Sequence, residues 1–578
     1  MRHFYLVFLL LTGLAFFVHC QSTSSTEGIA EGAPPLRVEL IYDSAAHWVD
    51  SVYNSLTDEE RIAQLFWVAV EQPENNASFE QLKMQVAKHQ PGGILLFKMS
   101  PHRVLAVNEN LQALSKVPLL VSIDGEWGLG MRLPEVKSFP YAMTLGAIQD
   151  DSLIYRMGLE IARQFRVLGI HVNMAPVADV NSNPNNPVIG NRSFGEQPEN
   201  VARKSVAYMH GLQDGGVMAV GKHFPGHGDT DTDSHKTLPV VGHSQELLDT
   251  TDLVPFKAMI DDGLWGIMTA HIEVPALDKR RGMPASFSDS VVHGLLRQKL
   301  GFKGLVITDA VNMQGAKTMG RPGTVDALAL AAGNDVVEFT EDLGGGIMAV
   351  KQAIADSLMT MSDVEEKCRR SLAFKYWLTL RYSQPELNSH NLDSLLNAPS
   401  ALELNQQLHD AALTVLVNDG ILHLKGIPEN FACVVVGQVP LISEHMQQRG
   451  VPVYSLSTTD PAAFDRVLKG MGQYAGYLLI IADSQWGRRT ANSARRNQLM
   501  QLTGKGSTLV VFMGNAYHLS PWKGLESASG LVLTYQNSRE AQQSVLNLIN
   551  GEIGANGRLP VSVRNWFNAG SGEVVKAD

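Results

Sequence analysis

Residues 216–235 read GVMAVGKHFPGHGDTDTDSH. Gly216–Gly221 is a continuous apolar run. Behind it come Lys222, the histidines His223, His227 and His235, and the aspartates Asp229, Asp231 and Asp233. The glycines and the proline preclude a regular helix, so this is a loop leaving a strand. An unbroken apolar run, rather than an alternating one, suits a parallel strand buried on both faces. The same pattern recurs at Ala63–Val70, Gly93–Phe97, Pro118–Ile123, Gly169–Pro176, Leu264–Ala270, Gly304–Thr308 and Asp335–Phe339. Helical patterns lie between these runs, for example Asp151–Leu168, with Asp151 or Ser152 as its cap. Eight strand–helix units predict an α/β fold with a (β/α)8 TIM-like barrel over residues 50–384.

Polar side chains stand at or just after the predicted strand ends: Lys98, Asp124, Asp179, Lys222 with His223, His271, Asp309 and Glu338. In a parallel barrel these ends converge on one face, where barrel active sites form. Asp233 and His235 are two residues apart and project to one side of an extended chain. A carboxylate that holds an imidazole fixes its tautomer and raises its basicity, which suits proton transfer near neutral pH. Residues 304–315, GLVITDAVNMQG, deliver Asp309 onto the same face. Taken alone, that carboxylate is a nucleophile, a metal ligand or a helix cap. Its pairing with His235 points to a nucleophile facing an acid/base. A divalent-metal reading of the His/Asp loop competes, but HExxH spacing is absent and Lys222 would repel a cation. No metal and no cofactor are expected.

The chain has 578 residues, 47 Lys+Arg against 58 Asp+Glu, a formal net charge of -11 and 44% hydrophobic residues. That much apolar material excludes an intrinsically disordered chain. The absence of a Lys/Arg cluster argues against a nucleic-acid partner. After the barrel, residues 385–410 read as a polar, Pro-containing linker. Residues 411–578 read as a smaller, separate open α/β sandwich domain, with strands at Leu413–Val417, Cys433–Val436, Tyr477–Ala482, Thr508–Met513 and Leu531–Thr534. It ends with GRLPVSV at Gly557–Val563. No Gly-rich dinucleotide fingerprint follows these strands. At the other end, a short basic start and the apolar run Phe4–Val18 form a secretory signal over residues 1–20, followed by a polar linker over residues 21–49. Cys20 closes that run and invites a lipid anchor. His19 stands where lipidation wants a small residue, so plain signal cleavage is the favoured reading. Export to the periplasm, the outer membrane or the outside of the cell follows in either case. Cys368 and Cys433 fall in different predicted domains and are expected as free, buried thiols.

The sequence resembles glycoside hydrolase family 3, and within it the NagZ-type β-N-acetylhexosaminidases in a two-domain form. The resemblance is carried by KHFPGHGDTDTDSH (222–235), VITDAVNM (306–313), IDGEWGLGMRL (123–133), NMAPVADVNSNPNNPVIGNRSFG (173–195) and AHIEVPALD (270–278). It implies that Asp309 is the catalytic nucleophile and His235 the acid/base, with Asp233 orienting it. It also implies that Asp124, Arg132, Arg192, Lys222 and His223 hold the hydroxyls of the sugar next to the cleaved bond. The implied activity is a retaining exo-β-N-acetylglucosaminidase acting on peptidoglycan fragments or related glycosides, with a carbohydrate substrate as partner and a monomeric state. A His acid/base does not repel an anionic attacker, which opens phosphorolysis as an alternative within the family, beside a plain β-glucosidase. A non-catalytic glycan-binding protein is the alternative of another class.

The sequence departs from the usual pattern after Asp124, where GEWG replaces QEGG. Trp127 there is a platform for a sugar face or, more commonly, loop packing. Glu126 is a sugar-binding carboxylate or a solvated loop residue. His271 touches substrate or is a hydrogen-bonded structural histidine, and His227 reads as a loop organiser.

Overall fold

The computed structural model describes residues 37–71, 75–232, 237–381, 391–423, 426–456, 469–482, 493–503 and 506–577. The signal region, including Cys20, lies outside them. So do Asp233 and His235.

All eight expected barrel strands form: β1 (Phe66–Val70), β2 (Gly93–Leu96), β3 (Leu120–Ile123), β4 (Val172–Asn173), β5 (Met218–Phe224), β6 (Gly266–Thr269), β7 (Leu305–Thr308) and β8 (Val337–Glu338). They pair in parallel in the order β7-β6-β5-β4-β3-β2-β1-β8. The seam between β7 and β8 is closed by a parallel bridge between Ile307 and Val336. Asp335 secures that seam. Its backbone N–H donates to the carbonyl of Val306, and its Oδ2 accepts the Val306 N–H at 2.8 Å. The same carboxylate is held by Arg297 and by Arg370, the latter at 2.9 Å. Burial alone would raise this carboxyl, and the two guanidiniums keep it low and ionised.

Local signals set the helix ends. The helix Asp151–Val167 is capped by Asp150, one residue earlier than expected, because the Asp150 carboxylate accepts the Ser152 N–H at 3.0 Å. The stretch read as linker up to residue 49 is helical from Val38, in the helix Val38–Ser55. Ile41, Ala45 and Val49 lie along one stripe of it and are buried, so the helix covers apolar barrel surface.

The second sheet has six strands, β9 (Thr414–Asn418), β10 (Phe431–Val436), β11 (Val453–Leu456), β12 (Gly476–Ile481), β13 (Ser507–Phe512) and β14 (Gly530–Leu533). Their order is β11-β10-β12-β13-β14-β9, parallel except for the β14–β9 pair. The five expected strands are present. The sixth, β11, lies at the sheet edge and is only partly buried, so it lacks the unbroken apolar run that marks the others. Gly557–Val563 adds no strand to this sheet. It runs irregularly, and its polar atoms are drawn to the barrel: Glu196 donates its N–H to the Pro560 carbonyl at 3.0 Å, and the Glu196 carboxylate accepts the Ser562 N–H at 2.9 Å. The sheet also packs on the barrel. Alternate residues such as Ala432, Val434, Leu479 and Val510 belong to the same apolar cluster as the barrel core, while Cys433, Val435, Leu478 and Val511 form a second cluster on the other face. The helix Pro399–Ala412 spans the junction, with Asn405 donating to the Ser138 carbonyl at 3.0 Å and Gln406 to the Ser544 hydroxyl at 2.9 Å. Cys368 and Cys433 are buried free thiols, as expected. No helix among the described residues is long and apolar enough to cross a membrane.

Asp335 offers a test of barrel closure. Asp335→Ala leaves the buried Arg297 without its carboxylate and Arg370 with Glu366 alone, and should lower the unfolding free energy by about 3–5 kcal/mol. Urea unfolding followed by circular dichroism reads this. A loss below about 1 kcal/mol would show that the staple is dispensable.

Candidate active site

The strand ends enclose a cavity of about 450 Å³ whose lining includes Asp124, Arg132, Arg192, Lys222, His223 and Asp309. Six of the eight expected site residues are thereby brought together. The other two, Asp233 and His235, lie outside the described residues.

Lys222, on β5, is 2% exposed, and its Nζ donates to Asp124 Oδ1 at 2.7 Å. It also meets Glu126 Oε1 at 3.0 Å. Each of those carboxylates has its own arginine. Arg132 Nη2 donates to Asp124 Oδ2 at 2.5 Å. Arg192 takes Glu126 through two bonds, Nε to Oε2 at 2.9 Å and Nη2 to Oε1 at 2.7 Å. Burial would raise both carboxyls, but the adjacent cations override it. Asp124 is held well below the usual carboxylate range by Lys222 and Arg132. Glu126 is brought to about 2 by Arg192 and Lys222. Glu126 is thus neither solvated nor free. It is a buried link between two cations that face the cavity.

His223 follows Lys222 in the strand. Its ring donates through Nδ1 to Asp179 Oδ2 at 2.7 Å, which fixes the tautomer, and its Nε2 lies 3.3 Å from Arg192 Nη2. Asp179 also accepts the backbone N–H of His227 at 2.7 Å, so one buried carboxylate orients the ring and pins the loop behind it. Two glycines of that loop are required by shape. Gly226 sits at φ +131°, and a Cβ on Gly228 would stand 1.7 Å from the Val180 carbonyl oxygen. Asn186 ties the Arg192 segment to the loop by donating to the His227 carbonyl at 2.8 Å, while its Oδ1 accepts the Val188 and Ile189 N–H groups.

Asp309 follows β7, and its Oδ1 accepts the Ala310 N–H at 2.8 Å. Burial would raise its carboxyl. His223, His271, the Ala310 N–H and Lys222 together hold it lowered, so it stays an anion. A buried, ionised carboxylate in a cavity is suited to nucleophilic attack.

His271 behaves as a structural histidine. Its Nε2–H points to the Ala310 carbonyl at 3.2 Å, and its Nδ1 accepts from the Ser286 hydroxyl at 2.7 Å. Trp127 packs edge-on against Tyr141 and is not part of the cavity lining. His227 does organise its loop, donating through Nδ1 to Thr230 Oγ1 at 2.8 Å, but its Nε2 is buried without a partner among the described residues and lies in the cavity wall. Burial lowers its pKa to about 4, which keeps the ring neutral. Asp229 pairs with His243, which also binds the buried Asp252 at 2.6 Å, so the base of the His/Asp loop is anchored by a carboxylate–imidazole–carboxylate chain. Among residues given no role from sequence, Asp179 and Glu338 stand at strand ends, and that position was the available signal for both. Asn515 and Tyr517 come from the second sheet. Asn515 donates to Asn191 Oδ1 at 2.6 Å, next to Arg192, and Asn181 donates to the Tyr517 hydroxyl at 2.7 Å.

Comparison with known proteins agrees with this geometry. Residues 57–373 match the glycosyl hydrolase family 3 N-terminal domain. A protein named beta-hexosaminidase A from Pseudoalteromonas piscicida is 33% identical over 374 residues, which take in 60% of this chain and 62% of that protein. A beta-hexosaminidase from Nitrosomonas eutropha is 35% identical over 270 residues, 45% of this chain and 76% of the relative. Among solved structures, a family 3 beta-N-acetylglucosaminidase from Paenibacillus sp. str. FPU-7 aligns with a TM-score of 0.73 and 28% identity, over 87% of this chain and 98% of that one. The closed parallel barrel, the charged cavity at its strand ends and the matched span of more than half the chain place this protein in glycosyl hydrolase family 3.

Proposed function

We propose that this protein is a retaining exo-β-N-acetylglucosaminidase that releases terminal β-linked N-acetylglucosamine from peptidoglycan fragments or related glycosides after export from the cytoplasm. The observation that carries this reading is the ionised Asp309 carboxylate buried in a cavity of about 450 Å³, opposite hydrogen-bonding cations fixed by Asp124 and Glu126. The names of the relatives support the choice of sugar.

In this reading Asp309 attacks the anomeric carbon while His235, oriented by Asp233, protonates the leaving oxygen. A glycosyl-enzyme ester forms on Asp309. His235 then takes a proton from water, which attacks the same carbon and frees the sugar with its configuration retained. Lys222, Arg132 and Arg192 are paired before the sugar arrives, so they hold its hydroxyls with little reorganisation. The surroundings that keep Asp309 ionised, the Ala310 N–H and the Lys222 ammonium among them, also keep the nucleophile competent at acid pH.

Asp309→Asn should reduce kcat on an aryl β-N-acetylglucosaminide by more than about a thousandfold, whereas an active variant would remove Asp309 from the nucleophile role. His235→Ala should slow substrates with poor leaving groups by about 10²–10⁴-fold and spare activated aryl leaving groups. Equal losses on both would exclude the acid role. The pH profile of kcat/KM should be bell-shaped. Because Asp309 is held below its ordinary value, its deprotonated form persists as pH falls, so the acid limb should lie below the usual carboxylate range and the alkaline limb should follow the dyad. An acid limb above pH 5 would contradict the environment described for Asp309. Added inorganic phosphate should leave free N-acetylglucosamine as the product, and a sugar 1-phosphate would mark phosphorolysis instead.

The bracing of Arg192 from the second sheet gives a further test. Asn515→Ala should raise KM by about three- to tenfold with kcat little changed, because it loosens Asn191 beside a substrate-holding arginine. An unchanged KM would show that the barrel alone sets that loop.

A further inference from the structure

Strand β8 ends on Glu338, a residue that the mechanism above leaves without a task. Barrel-lining positions normally carry branched apolar side chains that fill the interior. Here the position is 3% exposed and lines the same cavity as Asp309, and the Oε1 atom of Glu338 is buried with no hydrogen-bond partner among the described residues. The backbone around it is firmly set. The Glu338 N–H donates to Thr308 Oγ1 at 3.0 Å, and Glu338 pairs with Trp67 across the sheet. The next residue, Phe339, turns out of the strand at φ +58° and places its ring edge-on to Phe97 at 5.5 Å.

The charged groups that face Glu338 are Asp124 from the end of β3, Asp309 after β7, Lys222 on β5 and Arg132 from the loop after β3. Lys222 and Arg132 are already bonded to Asp124. Burial and the two carboxylates push the Glu338 carboxyl well above the usual range, so it is a neutral acid that carries one donor as well as acceptors. A buried polar group left without a partner in the protein lowers stability unless something else uses it.

We propose that Glu338 is a substrate-binding residue that determines specificity, its carboxyl hydrogen-bonding a hydroxyl of the sugar seated between Asp309 and Asp124. The inference rests on the glycosidase reading for the identity of the ligand. Its chemistry complements the rest of the site. Ionised Asp124 can only accept from a hydroxyl, whereas Glu338 can donate to the hydroxyl oxygen. The contact exists while Glu338 is protonated. It is lost as pH rises through its raised value, when a third carboxylate would face Asp124 and Asp309.

The test compares wild type, Glu338→Gln and Glu338→Leu on an aryl β-N-acetylglucosaminide and its 3-, 4- and 6-deoxy analogues. Binding of N-acetylglucosamine itself is read by calorimetry. Glu338→Leu should weaken sugar binding and raise KM by about ten- to a hundredfold, with a melting temperature no lower than wild type. Glu338→Gln, which keeps the shape and a donor, should recover most of that loss and remove the rise in KM at alkaline pH. Removing one particular hydroxyl should penalise wild type but not Glu338→Leu. Unchanged sugar affinity in Glu338→Leu, or equal penalties for every deoxy sugar in both proteins, would overturn the proposal. Wild type that binds the sugar but turns over no glycoside would overturn the glycosidase reading and leave the calorimetric comparison to decide Glu338. Wild type that binds no sugar would overturn both.

Discussion

The ammonium of Lys222 is the interaction on which the site depends. It is buried between Asp124 and Glu126, and each of those carboxylates is taken in turn by an arginine. An isolated charge at this depth would be driven to neutrality. Alternating signs let all five groups stay ionised, because each carboxylate meets two cations within hydrogen-bonding distance. The chain thus holds a fixed array of donors along the wall of the cavity. Low local dielectric makes such an array effective at holding polar ligands, and it also makes the loss of one member severe.

That array is assembled from distant parts of the chain. Lys222 stands on a strand, whereas Arg132 and Arg192 come from loops, and those loops are fixed by hydrogen bonds rather than by sheet pairing. Asp179 pins the His223 ring and the following loop, and Asn186 joins that loop to the Arg192 segment. The second sheet then closes on the same segment through Asn515 and Tyr517, and through the Pro560 and Ser562 contacts with Glu196. Barrel strands position Lys222 and Asp309, while the second sheet's loops brace the segment beside Arg192. The loop organised by His243, Asp229 and Asp252 leads toward residues 233–236, which carry the expected acid/base dyad.

Much of this was legible in the sequence where burial leaves a simple trace. The barrel strands are covered on both faces, so each reads as an unbroken apolar run, and the chemical residues follow at their ends. Asp124, Lys222, His223 and Asp309 could be placed on one face for that reason alone. Arg132 and Arg192 could not, since no periodicity marks a loop side chain, and only the family resemblance named them. Glu126 was undecidable because its partner Arg192 is 66 positions away. Nothing in Gly557–Val563 signals its place, because its polar atoms bond Glu196, 366 positions from Ser562. The edge strand β11 escaped because half-exposed residues carry no continuous apolar signature.

The contact between Asn515 and Asn191 spans 324 positions, and that between Ser562 and Glu196 spans 366. Such long closures form late, after local strand–helix units have condensed. During synthesis the barrel's own strands are complete well before residues 515 and 562 exist. The segment around Arg192 therefore gains its contacts with Asn515 and Ser562 only after its barrel contacts with Glu126 and Asn186 can form. In a growing chain Asp309 can take its place at the end of its strand before Asn515 and Ser562 are made, so the last hydrogen bonds around Asn191 and Glu196 are added from the far end of the sequence.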